Sequence, residues 1–240
     1  MFVPYRSVQG LLAPFLILGI TALLYKTEGT NLKELGLINP ASNIKLLPAG
    51  ILLGVSLIGT VVLIQRTYLD FTLSWNSEAS YAAVFTGLLI FLPGVLNEEL
   101  IFRGYSYKHI AFTIGSEKAN IIFGFLFMVW HWISWNAWGN YAVMLGSYTT
   151  AIGHLLFATA FLRSGSLYLA IGLHLGINWA QKNVFMVSST EPSSPTTDSL
   201  FLINTTATKT NTFTDLLNNV LPVLIFLGLY WLFKRIYKHK

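Results

Sequence analysis

Apolar runs of about membrane-spanning length recur along this chain, and they restrict its folds more than any other feature. They cover residues 10–25, 44–65, 81–108, 119–137, 141–162, 166–185 and 216–233. A bilayer core takes about 20 consecutive apolar residues per helix, and within it every backbone polar group must be satisfied internally. The expected fold is therefore all-α: a polytopic membrane helical bundle with about seven transmembrane helices. Charge agrees, because Asp, Glu, Lys and Arg make up 10% of the chain against about 25% in soluble domains. Residues 1–240 form a single domain. Its motif core runs from about 81 to 186, a Ser/Thr-rich stretch at 188–215 reads as a mobile loop, and 216–233 is a C-terminal span.

Smaller features fit the same frame. The first run follows Arg6 as a signal peptide would, but Tyr25-Lys26-Thr27-Glu28 is no small-residue cleavage site, so it counts as a first helix. Residues 31–39 form a short amphipathic stretch for the membrane surface, and 66–80 is a polar connection. Pro93-Gly94 is expected to bend the third span. Trp130, Trp132, Trp135 and Trp138 gather at the end of the fourth span as an interfacial belt would.

Seven spans place the termini on opposite sides. The side with the C-terminus holds Lys26, Lys33, Lys45, Arg103, Lys108, Lys118, Arg163, Lys234, Arg235, Lys238 and Lys240, and the other holds Arg6, Arg66, Lys182 and Lys209. Eleven cations against four make the richer side cytoplasmic by the positive-inside rule. The predicted location is a plasma membrane of bacterial type, N-terminus outside. The net charge of +5 is ascribed to this orientation. No basic run with interleaved aromatics suggests a nucleic-acid partner. The chain has no cysteine, which excludes disulfides, thiolate metal sites and a cysteine nucleophile.

Against this apolar background Leu96-Asn-Glu98-Glu99-Leu-Ile-Phe-Arg103-Gly104 stands out. An ionisable side chain near the bilayer centre costs at least about 2.5–3.5 kcal/mol and usually marks function. In a helix Glu99 and Arg103 lie one turn apart and pair, whereas Glu98 lies about 100° from Glu99 and is left for chemistry. Phe127 and His131 are one turn apart on the fourth span, as are His174 and Asn178 on the sixth. Counted along their spans, Glu98, His131, His174 and Asn178 reach a common depth roughly 12–18 Å from the cytoplasmic side. A carboxylate and an imidazole can deprotonate a water, and a second His with an Asn can stabilise the charge on an attacked carbonyl. Two His and a Glu are equally a ligand set for hydrolytic zinc. His109 and His154 match none of these motifs and read as residues bonding one helix to another.

Glu98-Glu99-x-x-x-Arg103, Phe127-x-x-x-His131 and His174-x-x-x-Asn178, in that order, resemble the signatures of the CPBP intramembrane proteases, the CAAX-processing and bacteriocin-processing family also called Abi. Residues 163–174 resemble that family's lead-in to its last motif, and the likeness covers about 88–180. The resemblance implies an intramembrane endopeptidase acting on a membrane-associated protein or peptide. Glu98 would be the water-activating carboxylate and His131 its partner. His174 and Asn178 would stabilise the oxyanion, with Glu99 and Arg103 as architecture and Phe127 walling the pocket. A metal-free glutamate mechanism is favoured, and a zinc ion on Glu98, His131 and His174 is the alternative. The partners are the lipid bilayer and a protein or peptide substrate. Two other functions remain open: a non-proteolytic immunity or scaffold protein of the same family, and a proton-coupled transporter using Glu98, His131 and His174 as a relay. The transporter reading lacks the internal repeats expected of such folds.

Overall fold

A computed structural model describes residues 8–38, 41–69, 71–187, 196–205 and 212–236. Helix α1 spans Val8–Thr27. A short 3-10 turn, Leu32–Leu35, follows it; Asn31 caps the turn and buried Leu35 anchors it. A single helical turn, α2 (Ala41–Ile44), leads into α3 (Leu46–Tyr68). Then come α4 (Tyr81–Phe102), α5 (Tyr105–Ile114), α6 (Ser116–Ser134), α7 (Tyr141–Gly146), α8 (Tyr148–Ser164), α9 (Leu167–Trp179) and α10 (Thr212–Ile236). A π-helical turn at Ala180–Val184 extends α9.

Five helical stretches are long and apolar enough to cross a membrane: Gly10–Thr27, Leu46–Tyr68, Tyr81–Ile114, Tyr141–Ser164 and Asn219–Ile236. The protein is thus an integral membrane helical bundle. Helices α6 and α9 are not among the five, and these two carry the histidine motifs. Polar residues such as Glu117, Lys118, Asn120 and His131 dilute α6, and α9 has only 13 residues, about 20 Å.

Short α9 is nonetheless the centre of the molecule. Almost every residue from Leu167 to Trp179 is buried, as expected of a helix that is apolar all round. It lies closest to α3, through Gly50 and Gly54 on one side and Gly172 and Gly176 on the other. A Cβ at Gly50 would stand 2.7 Å from the carbonyl oxygen of Leu169, and one at Gly172 would stand 3.1 Å from the Cα of Gly50. The paired small-x-x-x-small spacing lets two backbones meet, the usual device where hydrophobicity cannot drive helices together. His174 lies midway between Gly172 and Gly176 in sequence, so it projects from the opposite face of α9, about 160° round from each. The glycine seam thereby turns the histidine away from α3 and towards α4 and α8.

The structure adds to three sequence expectations. The fold is not purely α. Strands β1 (Phe71–Trp75), β2 (Phe185–Val187) and β3 (Phe201–Thr205) form a sheet in the order β1-β3-β2, at the bundle end where α3 finishes and α4 begins. β3 runs antiparallel to β1, with Phe71 opposite Thr205, and parallel to β2, with Phe185 opposite Phe201. The described part of 188–215 is therefore tied down. Asn76 Nδ2 donates to the Ser199 carbonyl (2.8 Å) and Asn183 Nδ2 to that of Asp198 (2.8 Å). The rest of the Ser/Thr-rich stretch, along with Arg6, Lys209, Lys238 and Lys240, lies outside the described residues.

The second concerns the third span. Helix α4 passes through Pro93 without a break, and the interruption falls at Arg103–Gly104, where Arg103 adopts φ −130°, ψ 0°. The third concerns the tryptophans, which differ in exposure. Trp135 and Trp138 are exposed, but Trp130 packs on Phe102 with its indole N–H buried, and Trp132 donates to Ser147 Oγ at 2.6 Å.

Candidate active site

The carboxylates sit in the last turn of α4, where the 3.6-residue period separates their roles. Glu99 and Arg103 are both completely buried, while the Glu98 side chain keeps 15% of its surface accessible. Arg103 Nη1 donates to Glu99 Oε1 at 3.1 Å. Its guanidinium lies between two rings, 4.3 Å from the centroid of Phe127 and 5.1 Å from that of Phe157. The one-turn spacing read from the sequence thus yields the expected ion pair, and the aromatic rings supply a cation–π environment in place of water.

Helix α9 adds a contact that the motif spacing did not reveal. His174 Nδ1 lies 2.7 Å from Glu99 Oε1, and its Nε2 lies 3.5 Å from Glu98 Oε2. A carboxylate bonded to Arg103 acts as acceptor, so Nδ1–H of His174 donates and Nε2 is turned towards Glu98. One oxygen of Glu99 therefore serves both the guanidinium and the imidazole. Glu99 is more than the counter-ion of Arg103: it fixes the ring that faces Glu98. Phe157, on α8, completes the seat by stacking on His174 at 4.6 Å and 16°. Nothing in the sequence marked Phe157, because a phenylalanine in an apolar helix carries no motif.

His131 enters from the last turn of α6. Its Nδ1 lies 2.8 Å from the Phe127 carbonyl oxygen. A carbonyl can only accept, so Nδ1 carries the proton and Nε2 presents a lone pair. Phe127 links the groups. Its ring is 4.5 Å from that of His131, 6.2 Å from that of His174 and 4.9 Å from that of Phe102. Asn178 stands one turn beyond His174 on α9, half-buried.

Two remaining histidines behave differently from each other. His109 Nε2 bonds Glu28 at 3.0 Å, joining α5 to the end of α1. His154 does not bond another helix: among the described residues neither ring nitrogen has a partner, and the ring is enclosed by Tyr107, Phe123 and Phe127. Its neighbours are aromatic, which corrects the expected helix-to-helix hydrogen bond. Among the described residues no group of three or more His, Asp or Glu side chains is arranged to hold a metal ion.

The site is thus a polar cluster enclosed by a bundle of apolar helices, with one accessible carboxylate beside two oriented imidazoles. Residues 80–180 match the family described as Rce1-like, type II CAAX prenyl endopeptidase. That stretch contains every motif residue named above, and the match supports a likeness to the CPBP/CAAX protease family. No curated protein and no solved structure matches the chain.

Proposed function

We propose that this protein is an intramembrane endopeptidase that hydrolyses a peptide bond in a membrane-associated protein or peptide. The observation that carries the reading is the His174 bridge between Glu98 and Glu99, because it holds an imidazole against an accessible carboxylate inside an apolar bundle. Glu98, aided by the Nε2 lone pair of His131, takes a proton from a water that attacks the scissile carbonyl. The Asn178 amide, and His174 through a proton carried on Nε2 while Nδ1–H stays on Glu99, donate to the oxyanion as it forms, and the proton held by the Glu98–His131 pair passes to the leaving amine. Glu99 and Arg103 hold His174 in position. No step is routed through a metal: the reading predicts that turnover survives exhaustive chelation. One zinc per chain, lost together with activity in His131→Ala, would replace this mechanism with a metal-dependent one.

In this reading α6 and α9 complete seven crossings, with the C-terminus in the cytoplasm and the sheet on the outer face. The test is cleavage of membrane-anchored peptides by the purified full chain, comparing wild type with Glu98→Ala. Cleavage by the wild type alone supports the proposal. Equal cleavage by both would remove Glu98 from the chemistry, whereas none by either across prenylated and unprenylated substrates favours the scaffold role.

A further inference from the structure

At the bundle end remote from the sheet, α6 begins and α8 and α10 finish around a cavity of about 460 Å³. Lys118, Arg163 and Lys234 line it with a single carboxylate, Glu117, which pairs with Lys234 at 2.5 Å. Two polar side chains form part of its wall, Asn120 and Thr159, each with only 5% of its surface exposed. Asn120 is fixed there because its Oδ1 accepts from Tyr107 OH at 2.5 Å, which leaves its amide N–H groups as donors. The cavity therefore combines three cations with oriented neutral donors, a chemistry suited to a phosphate group.

Its surroundings indicate where that phosphate comes from. Ile114 and Leu162 add apolar wall. Leu224, Trp231 and Leu232 of α10 are exposed apolar residues on the helix that supplies Lys234. A ligand with a phosphate at the level of Lys234 and alkyl chains along α10 would satisfy both regions. Basic pockets between transmembrane helices on one membrane face are suited to anionic headgroups.

We infer that this cavity is a binding site for the phosphate headgroup of an anionic glycerophospholipid, separate from the Glu98–His174 cluster. The experiment places the purified full chain in phosphatidylcholine nanodiscs containing a minor fraction of phosphatidylglycerol and counts retained lipid by native mass spectrometry. Selective retention of phosphatidylglycerol is expected. The Lys118→Gln/Arg163→Gln variant should lower that affinity about 30-fold, the equivalent of about 1 kcal/mol per cation. Glu117→Gln removes the one opposing carboxylate and should raise affinity about 5-fold. It serves as the readout if the double variant fails to fold. Equal retention of both lipids, or affinity unchanged by these substitutions, overturns the site. Full competition by inorganic phosphate with no dependence on phosphatidylglycerol overturns the lipid as its source.

Discussion

Two sets of contacts between glutamates and basic side chains in this molecule lie in opposite surroundings. At the rim, Lys108 meets Glu34 at 2.6 Å and His109 meets Glu28 at 3.0 Å, with all four side chains between a third and a half exposed. In the interior, Arg103, Glu99 and His174 are 0%, 0% and 6% exposed. The rim pairs can exchange their partners for water, so each contributes only about 0–1 kcal/mol. The interior charges have no such alternative. Removing one member strands the others in a medium that cannot solvate them, at about 3–5 kcal/mol. The lesson is positional: interior charges hold a geometry, whereas rim charges trim the approach of α5 to the end of α1 and to the 3-10 turn that follows it.

The sharpest test of the contrast is catalytic. Glu98→Gln keeps the side-chain shape and removes the base, so cleavage should fall about 10²- to 10⁴-fold while the melting temperature stays near that of the wild type. Equal melting with undiminished turnover would remove Glu98 from the chemistry. Glu99→Gln should act on both readings at once. It leaves Arg103 buried with no counter-charge and weakens the bond to His174 Nδ1, so unfolding should cost about 3–5 kcal/mol less and residual activity should also drop. A Glu99→Gln protein that melts like the wild type would break the distinction between interior and rim.

A smaller effect is expected beside the cluster. Phe157→Leu removes the ring that stacks on His174 and flanks Arg103. The stacking and cation–π losses together amount to about 1–2 kcal/mol, measurable as a lower denaturation midpoint. Unchanged stability would show that Phe127 alone suffices to shelter the guanidinium.

The smallest effect belongs to the rim. The hydrogen bond from Lys108 holds the Glu34 carboxyl below its usual range. A carboxyl depressed on folding stabilises the protein above its unfolded value, about 4.3, and that contribution fades as pH falls through the lower folded value. Because Glu34 is largely solvated, Lys108→Met should cost under about 1 kcal/mol, and the loss should vanish in acid. A larger cost at neutral pH, or one indifferent to pH, would mean that the rim contact does more than trim.

Much of the candidate site was legible in the chain, and the reason is helical periodicity. Glu99 and Arg103 are one turn apart, and so are Phe127 and His131; the structure seats the first pair as an ion pair and the second as ring against ring. The bond from His174 to Glu99 was not legible, because 75 residues separate them and only the packing of α9 decides which carboxylate its ring meets. The strands were faintly written. Phe71-Thr-Leu-Ser-Trp75 alternates apolar and polar, but five residues between long apolar runs are easily assigned to a connection. In β3 the Ser/Thr-rich neighbourhood outweighed Phe201-Leu-Ile203.

By itself the sequence determined that this chain is a membrane bundle with two carboxylates and two histidine motifs set in apolar helices. Length and hydropathy are local properties, and the cost of placing charge in lipid makes such residues conspicuous. Tertiary structure alone decided that α9 is the buried axis and that a glycine seam with α3 turns His174 towards α4. It also decided that Glu99 serves arginine and histidine through one oxygen, and that three helix ends enclose a basic cavity. Those outcomes depend on how closely two backbones approach and on which faces meet, and contacts between residues far apart in sequence leave no periodic trace in either helix.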